Sequence, residues 1–346
     1  MEEEMKIVVL AGGLSTERDV SLVTGRGVYG ALKERGHKVI LLDVFLGYEG
    51  DPGKVFDEDI DWAAAVAPVS DKAPDLEEIR SLRKDDAKVF FGPNVIDICR
   101  MADVVFMALH GDCGENGKIQ AAFDLMGIRY TGTDSFSSAL AMDKLVSKQL
   151  FKMYGVRTPE CHMLSGTDDD YRPVYPCVVK ICNGGSSVGV YIAVNEEEYE
   201  KAVADAFSYE SKVIVEQYIS GREFTCCVIE GEALPIVEIT PKSGFYDYKN
   251  KYQEGSTIET CPANVDAETT ARIQAEAVKA YHALGITTYA RMDFIMNEHK
   301  DIYCLEANTL PGMTPTSLIP QEAAATGRSY ADLCEWIIDI SLKRWN

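Results

Sequence analysis

Residues 289–308 read YARMDFIMNEHKDIYCLEAN, and their alternation constrains the local fold to an antiparallel hairpin with one apolar face. Side chains along a strand point to opposite faces with a period of two, which sets Ala290, Met292, Phe294 and Met296 toward a core and leaves Arg291 and Asp293 on the other face. The same rule separates Tyr303, Leu305 and Ala307 from Glu306 and Asn308. With EHKD as a four-residue loop, Asp293 falls opposite Glu306 and Arg291 opposite Asn308, with Cβ atoms about 5 Å apart. Two facing carboxylates are unfavourable unless a cation or proton compensates, and Asn308 adds one more oxygen. Oxygen donors alone, few in number, suit Mg²⁺ shared with phosphates. A solvated sheet face balanced by Arg291 is the alternative from these residues alone.

The rest of the chain places this hairpin in a mixed α/β protein. KIVVLAGG, HKVILLDVF and ADVVFMALHG are short apolar runs, the first two joined by an amphipathic stretch, as in a parallel sheet with crossover helices. Residues 47–88 are more polar and irregular and read as an elaboration on this first domain, which ends near residue 132. SSALAMDKLVSKQLFKMYG reads as one helix, with Met142, Leu145, Val146 and Leu150 on one face and Gly155 as its C-cap. YPCVVKI, VYIAV and SKVIVEQYI are strands of a second, small α+β domain. A helix over roughly 266–284 and a terminal one carrying Leu333, Trp336, Ile337 and Ile340 belong to the third. The expected domains are 1–132, 133–222 and 223–346.

Composition excludes several classes. The 346 residues are 46% apolar and 26% charged, as in a globular enzyme with a large core. A formal charge of −21 with no basic stripe repels a phosphodiester backbone, so neither nucleic acid nor an anionic membrane is an expected partner. An anionic substrate then needs locally placed cations. The acidic N-terminus MEEEM lacks a signal peptide's basic start, and no apolar run reaches the ~18 residues of a membrane span. Ten scattered cysteines without a CxxC and only five histidines read as reduced thiols rather than a metal centre.

Glycine loops carry weaker signals. In CNGGSSVG the backbone N–H groups and the hydroxyls of Ser186 and Ser187 can close over triphosphate oxygens, with Lys180 reaching in from the preceding strand; a plain turn fits the same letters. LAGGLSTERDVS lacks GxGxxG, which disfavours a Rossmann oxidoreductase.

AGGLSTERDVSL, ALHGDCGENGKIQAAFDLMGIRYTG, SALAMDK, VVK with GGSSVGV, VEQYISGREFT, FYDYKNKY, RMDF and LEANTLPGMTPTSL, in that order, closely resemble the D-alanine–D-alanine ligase family of the ATP-grasp superfamily, from about residue 5 to the C-terminus. The resemblance implies a three-domain ATP-grasp fold, an N-terminal parallel α/β domain followed by two α+β domains that grip ATP between them. It implies synthesis of D-alanyl-D-alanine for peptidoglycan from D-alanine and ATP, in the bacterial cytoplasm, by a homodimer. Two Mg²⁺ ions, with Mn²⁺ as a substitute, are the implied metals, held by Asp293, Glu306 and Asn308. Lys144 and Lys180 match the lysines that grip phosphates, Ser187 the serine of the glycine loop, and Lys251 a γ-phosphate contact. Glu216 would bond the adenine amino group, Gln217, Tyr218 and Ile219 would line the hinge, and Glu223 would hold the ribose. Glu17, with Ser186, matches the seat of the first ammonium group; Arg291 and the N–H of Gly312 match the oxyanion site; Ser317 and the N–H of Leu318 match the seat of the second carboxylate. Val20, His110 and Tyr246 match residues bordering the substrates, although an isolated histidine after a buried strand equally fits a structural role.

FYDYKNKY, too polar for a core strand and too aromatic for a linker, matches the family's mobile ω-loop, about residues 242–258. Such a loop closes over the site and excludes water, and Tyr252 would join Glu17 and Ser186 in a hydrogen-bonded triad. Ile181 stands where the family commonly has proline, and Cys113 lies in the HGxxGE loop; neither removes a named functional group. SLIPQEA favours D-alanine as second substrate over D-serine or D-lactate, which related resistance ligases use. A nucleotide-binding regulator without turnover is the competing class, and against it every motif-matched acid and base is present.

Overall fold

The computed structural model describes residues 4–58, 60–70, 74–85, 88–185, 188–242 and 256–345, the side chain of Cys113 excepted. The chain folds into two compact units, Met1–Phe136 with Thr287–Tyr289 and Thr309–Asn346, and Ser137–Ile286 with Ala290–Asn308. The division is not one of three consecutive segments. Residues 309–346 return to the first unit, and two separate sheets share the second.

The first unit is built on β1 (Lys6–Ala11), β2 (Lys38–Asp43) and β3 (Val104–Met107), parallel in the order β2-β1-β3, as the apolar runs predict. Strands covered on both faces are apolar throughout, and Ile7, Val8, Val9 and Leu10 are all fully buried. Residues 128–132 add only a single parallel bridge, from Tyr130 to Val105. Helix Arg18–Glu34 packs on this sheet and on the terminal helix Tyr330–Leu342, which buries Leu333, Ile337 and Ile340 of its expected stripe and leaves Trp336 only partly covered. Within the irregular stretch after residue 47, the described residues form a 3₁₀ turn, Pro52–Lys54, and a short helix, Leu76–Ser81.

The second unit holds β4 (Cys161–Leu164), β5 (Cys177–Ile181), β6 (Val190–Ala193) and β7 (Val213–Gln217) in an antiparallel sheet of order β4-β7-β5-β6. Helix Glu196–Tyr209 covers one face through Tyr199, Ala202, Val203 and Ala206. Its second sheet takes β8 (Arg222–Ile229), β9 (Glu232–Ala233), β10 (Val237–Pro241), β11 (Thr257–Thr260), β12 (Tyr289–Met296) and β13 (Ile302–Asn308), in the order β11-β10-β8-β12-β13 with β9 beside β8. Helix Ala267–Ala283, capped by Asp266 onto the N–H of Thr269, packs Ile273, Ala277 and Ala280 against it.

The stretch expected to be one helix is two, Ser135–Met142 and Lys144–Met153. Asp143 stands between them in an extended conformation, and its carboxylate accepts from the N–H groups of Leu145 and Val146. Aspartate competes with the helical backbone for hydrogen bonds and favours the N-cap, so the break falls there. The buried positions of the second helix are Lys144, Ser147, Lys148 and Phe151 rather than the apolar face read from the sequence.

The hairpin register also departs from the expected path while reaching the expected end. The loop has five residues, 297–301, and Met296 pairs with Ile302. A β-bulge then leaves Leu305 without an opposite residue and restores the pairs Asp293–Glu306 and Arg291–Asn308. The bulge breaks the alternation of β13: Ile302, Cys304 and Ala307 are buried in the core, and Tyr303, Leu305, Glu306 and Asn308 are only partly covered.

Helix Lys144–Met153 ends as its glycine predicts. Gly155 has φ +74°, its N–H donates to Lys152 O, and a Cβ there would meet nothing within 4 Å. Gly155→Ala is expected to cost only the left-handed conformation, about 1 kcal/mol, seen as a lower urea midpoint with an unchanged slope; an unaltered midpoint would show that this end of the helix does not limit stability.

Candidate functional site

In the second unit a cleft of about 440 Å³ lies between the two sheets. Lys180 reaches it from β5, Glu216 to Ile219 from the end of β7 and the turn after it, and Asp293 and Glu306 from the hairpin. Lys144, Glu223 and the ion pair of Arg222 with Glu238 complete the charged lining among the described residues.

Two ion clusters organise these groups. On the hairpin, Arg291 donates from Nε and Nη2 to the two oxygens of Asp293, each at 2.8 Å. Thr225 Oγ1 donates to Asp293 Oδ1 at 2.7 Å, and Asn308 Nδ2 to Oδ2 at 3.0 Å. Glu306 faces Lys144, with Oε2 3.3 Å from Nζ, and Lys144 also donates to the carbonyl of Gly184 at 2.6 Å. The like charges that strand pairing sets opposite each other are thus each compensated by a cation.

The second cluster lies deeper. Lys180 Nζ is 2.9 Å from Glu216 Oε2, and Lys148 Nζ is 2.9 Å from Oε1. The approach of Lys148 is a charge contact rather than an aligned hydrogen bond at Oε1, and its Nζ donates to Thr158 Oγ1 at 2.8 Å. Burial pushes the Glu216 carboxyl up, but the two ammonium groups outweigh it and hold it below the ordinary range. Burial lowers Lys148 more than Glu216 raises it, so its ammonium is easier to deprotonate than usual. Lys180 goes the other way: burial lowers it, and the carboxylates of Glu216 and Glu306 more than compensate.

Among the described residues no group of three His, Cys, Asp or Glu side chains could hold a metal by itself. The hairpin offers two carboxylates and an amide, all oxygen donors, with Asp293 and Glu306 on the cleft wall. That set fits Mg²⁺ completed by phosphate oxygens and does not fit a closed protein cage.

The first unit carries the other sequence-expected residues. Glu17 precedes helix Arg18–Glu34 without capping it, and a Cβ on Gly111 would stand 2.6 Å from Glu17 Oε2. Gly111 has φ +73°, a conformation that favours glycine, and a Cβ there would displace the Glu17 carboxylate. Ser15 Oγ accepts from the N–H of Glu17 at 3.1 Å and donates to the carbonyl of His110 at 3.0 Å. His110 Nδ1 lies 2.8 Å from Leu310 O and Nε2 2.8 Å from Thr24 Oγ1. Val20 is buried in helix Arg18–Glu34. Gly312 approaches Ser317 so closely that a Cβ would lie 3.0 Å from Ser317 Oγ. Ser317 precedes helix Leu318–Ala325, and its hydroxyl accepts from Thr314 N at 3.0 Å instead of capping that helix.

Ser186, Ser187, Tyr246, Lys251 and Tyr252 lie outside the described residues. Sequence reasoning missed Lys148, Thr225 and Glu115. Glu115 accepts from the N–H groups of Gly111 and Leu310 at 2.9 and 3.1 Å. The signal for Glu115 was the last letter of HGDCGE; Lys148 had no local signal, since its i+4 spacing from Lys144 fits a solvated helix face equally well.

Glu216→Gln would leave Lys148 and Lys180 facing each other without the carboxylate between them. A loss of about 3–5 kcal/mol of folding free energy is expected, measured by urea unfolding at neutral pH; a change below about 1 kcal/mol would show that the trio is not coupled.

Comparison with known proteins agrees with this geometry. Residues 6–133 match the family model described as D-ala D-ala ligase N-terminus, and residues 163–339 the one described as D-ala D-ala ligase C-terminus. A D-alanine–D-alanine ligase from Pediococcus pentosaceus is 43% identical over 341 residues, 96% of this chain and 97% of the relative. Among solved structures, the D-alanine–D-alanine ligase from Bacillus anthracis complexed with ATP has a TM-score of 0.75 at 28% identity, covering 98% of each chain. VanG D-Ala:D-Ser ligase from Enterococcus faecalis has 0.74 at 28% identity, covering 98% of this chain and 100% of that one. Matched by both family models and nearly end to end by its relatives, this chain belongs to the D-alanine–D-alanine ligase family and has its ATP-grasp fold.

Proposed function

We infer that this chain joins two D-alanines into D-alanyl-D-alanine with ATP, forming ADP and phosphate for peptidoglycan precursor synthesis. The observation that carries the reading is 43% identity over 341 residues, 96% of this chain, to a ligase of that name. The chemistry needs no covalent enzyme group. The carboxylate of the first D-alanine attacks the γ-phosphorus and ADP leaves, giving D-alanyl phosphate. The amine of the second attacks its carbonyl carbon, loses a proton, and phosphate leaves. Positioning and charge stabilisation supply the rate.

The residues divide between the two units. In the second, Lys144 and Lys180 supply ammonium groups for phosphate oxygens, and the turn of Gln217, Tyr218 and Ile219 offers backbone groups to the base. Glu216 keeps lone pairs beyond those its lysines use, available to an adenine amino group, and Glu223 is assigned to the ribose. Mg²⁺, held by Asp293, Glu306 and Asn308, would neutralise phosphate charge when bound. Arg291, orienting Asp293 by two hydrogen bonds, is the cation assigned to the developing oxyanion.

In the first unit, Glu17 beside Gly111 is assigned to the first ammonium, with Val20 and His110 bordering the substrates. The N–H of Gly312 is assigned to the oxyanion. Helix Leu318–Ala325, uncapped by Ser317, presents the N-terminal N–H groups that bind a carboxylate. Ser186, Ser187, Tyr246, Lys251 and Tyr252 keep the roles their motifs imply. No helix among the described residues is long and apolar enough to cross a membrane, and we place a homodimer in the bacterial cytoplasm.

Backbone likeness does not separate the second substrate, since TM-scores of 0.75 and 0.74 go to a D-alanine and a D-serine ligase. The apolar Leu318-Ile319-Pro320 run after Ser317 favours D-alanine. ADP release coupled to D-alanine alone, then with D-serine or D-lactate added, followed by mass analysis, tests this. D-alanyl-D-alanine as main product is expected, and a mixed product dominating at equal concentrations would move the chain to the other class. Asp293→Asn and Glu306→Gln are each expected to lower turnover at least a hundredfold with unchanged far-ultraviolet circular dichroism. Near-normal turnover of either at low Mg²⁺ would refute the metal assignment.

A further inference from the structure

Lys148 belongs to no assigned role. Its side chain is 1% exposed, against 11% for Lys180, and it does not line the cleft. A fully buried ammonium is costly to desolvate, and packing alone would be served by methionine of similar length. Its partners explain its presence. Nζ sits between Thr158 Oγ1 at 2.8 Å and Glu216 Oε1 at 2.9 Å, and the other oxygen of Glu216 holds Lys180 Nζ at 2.9 Å. The order Thr158, Lys148, Glu216, Lys180 runs from the interior of the unit to the cleft wall.

We propose that Lys148 is a positioning residue which, through Glu216, holds the Lys180 ammonium in place for the nucleotide without touching the nucleotide itself. The proposal rests on the functional reading above. Lys180 is fixed at its backbone by β5, where it pairs with Val190 and Ile214, but four rotatable bonds separate that backbone from Nζ. Glu216 can restrain Nζ only while ionised and oriented. Lys148 supplies the second cation that secures both conditions, and Thr158 fixes Lys148.

The groups facing the Glu216 carboxylate are Lys148 from helix Lys144–Met153, Lys180 from β5 and, opposite it in register, Cys161 from β4. Cys304 of β13 also interacts with Lys148, and Glu306 and Glu223 with Lys180. Removing the Lys148 charge leaves burial opposed by one ammonium, so the Glu216 carboxyl rises. As pH falls through that raised value Glu216 takes a proton and releases Lys180; in the parent the carboxyl, held below the ordinary range, stays ionised over the same window.

The test compares the parent, Lys148→Met and Lys148→Gln. The readouts are KM for ATP and for D-alanine, kcat, and calorimetric affinity for a non-hydrolysable ATP analogue, at pH 8 and pH 5.5. Lys148→Met is expected to raise KM for ATP and weaken the analogue at least tenfold, with kcat within threefold and KM for D-alanine within twofold, and to worsen further at pH 5.5. If it does not fold, Lys148→Gln decides, because its amide keeps a polar group facing Thr158 and Glu216 while the charge is removed. It is expected to show a loss of analogue affinity that is larger at pH 5.5 than at pH 8. Unchanged ATP parameters in the variant that folds, or both substrates weakening together, would overturn the role of Lys148. Absence of ADP release by the parent with D-alanine would instead overturn the functional reading.

Discussion

The β12–β13 hairpin is the constraint on which both the packing and the chemistry of the second unit depend. Its inner face gives Ala290, Met292, Phe294 and Cys304 to the core, all at most 1% exposed. Its outer face carries Arg291, Asp293, Glu306 and Asn308. A strand serving both faces cannot slip by one residue without exchanging them. The bulge at Leu305 is how the chain keeps the acidic pair in register after a loop one residue longer than the pattern suggests. It also turns Leu305 and Glu306 toward the same cleft, so an apolar and an acidic lining residue come from consecutive positions.

An acidic chain that binds a polyanion must solve an electrostatic problem locally. With a formal charge of −21 the mean field opposes ATP, and long-range steering cannot help. The described cations of the cleft are instead held individually by carboxylates, Lys180 by Glu216, Lys144 by Glu306 and Arg222 by Glu238. Pairing lets an ammonium stay in a partly dry wall before the nucleotide arrives, which an isolated buried charge does not do without losing its proton. Under the roles proposed for Lys144 and Lys180, phosphate oxygens would meet donors already in position, with little reorganisation on binding.

What the sequence disclosed follows from which interactions are local. The parallel strands of the first unit, the helix Ala267–Ala283 and the pairing of Asp293 with Glu306 rest on periodicity and capping, which are readable within a few residues. The break at Asp143 was readable too, since aspartate followed by Lys-Leu-Val is a cap as much as a helix interior, but the apolar face of the neighbouring residues masked it. Lys148 was not readable. A lysine four residues after another on an amphipathic helix fits a solvated face, and only the fold brings Thr158 and Glu216 to it from ten and sixty-eight residues away. The departure of residues 309–346 into the first unit is of the same kind, set by long-range packing rather than by local pattern.

That departure gives His110 its meaning. The chain leaves β13 at Asn308, and two residues later Leu310 is held at both backbone groups, its N–H by Glu115 and its carbonyl by His110. A carbonyl accepts only, so His110 Nδ1 carries a hydrogen, and Nε2 is engaged with the hydroxyl of Thr24. A ring occupied at both nitrogens and 4% exposed is a strut rather than a free base. Together with Glu115, which also takes the N–H of Gly111, it ties the glycine loop beside Glu17 to the stretch leading to Gly312 and Ser317. The residues of the first unit that we assign to the substrates are thus held to one another by side chains that need not react, and the contacts of Glu115 and His110 fix the glycine loop beside Glu17 against the stretch leading to Ser317 without any ligand.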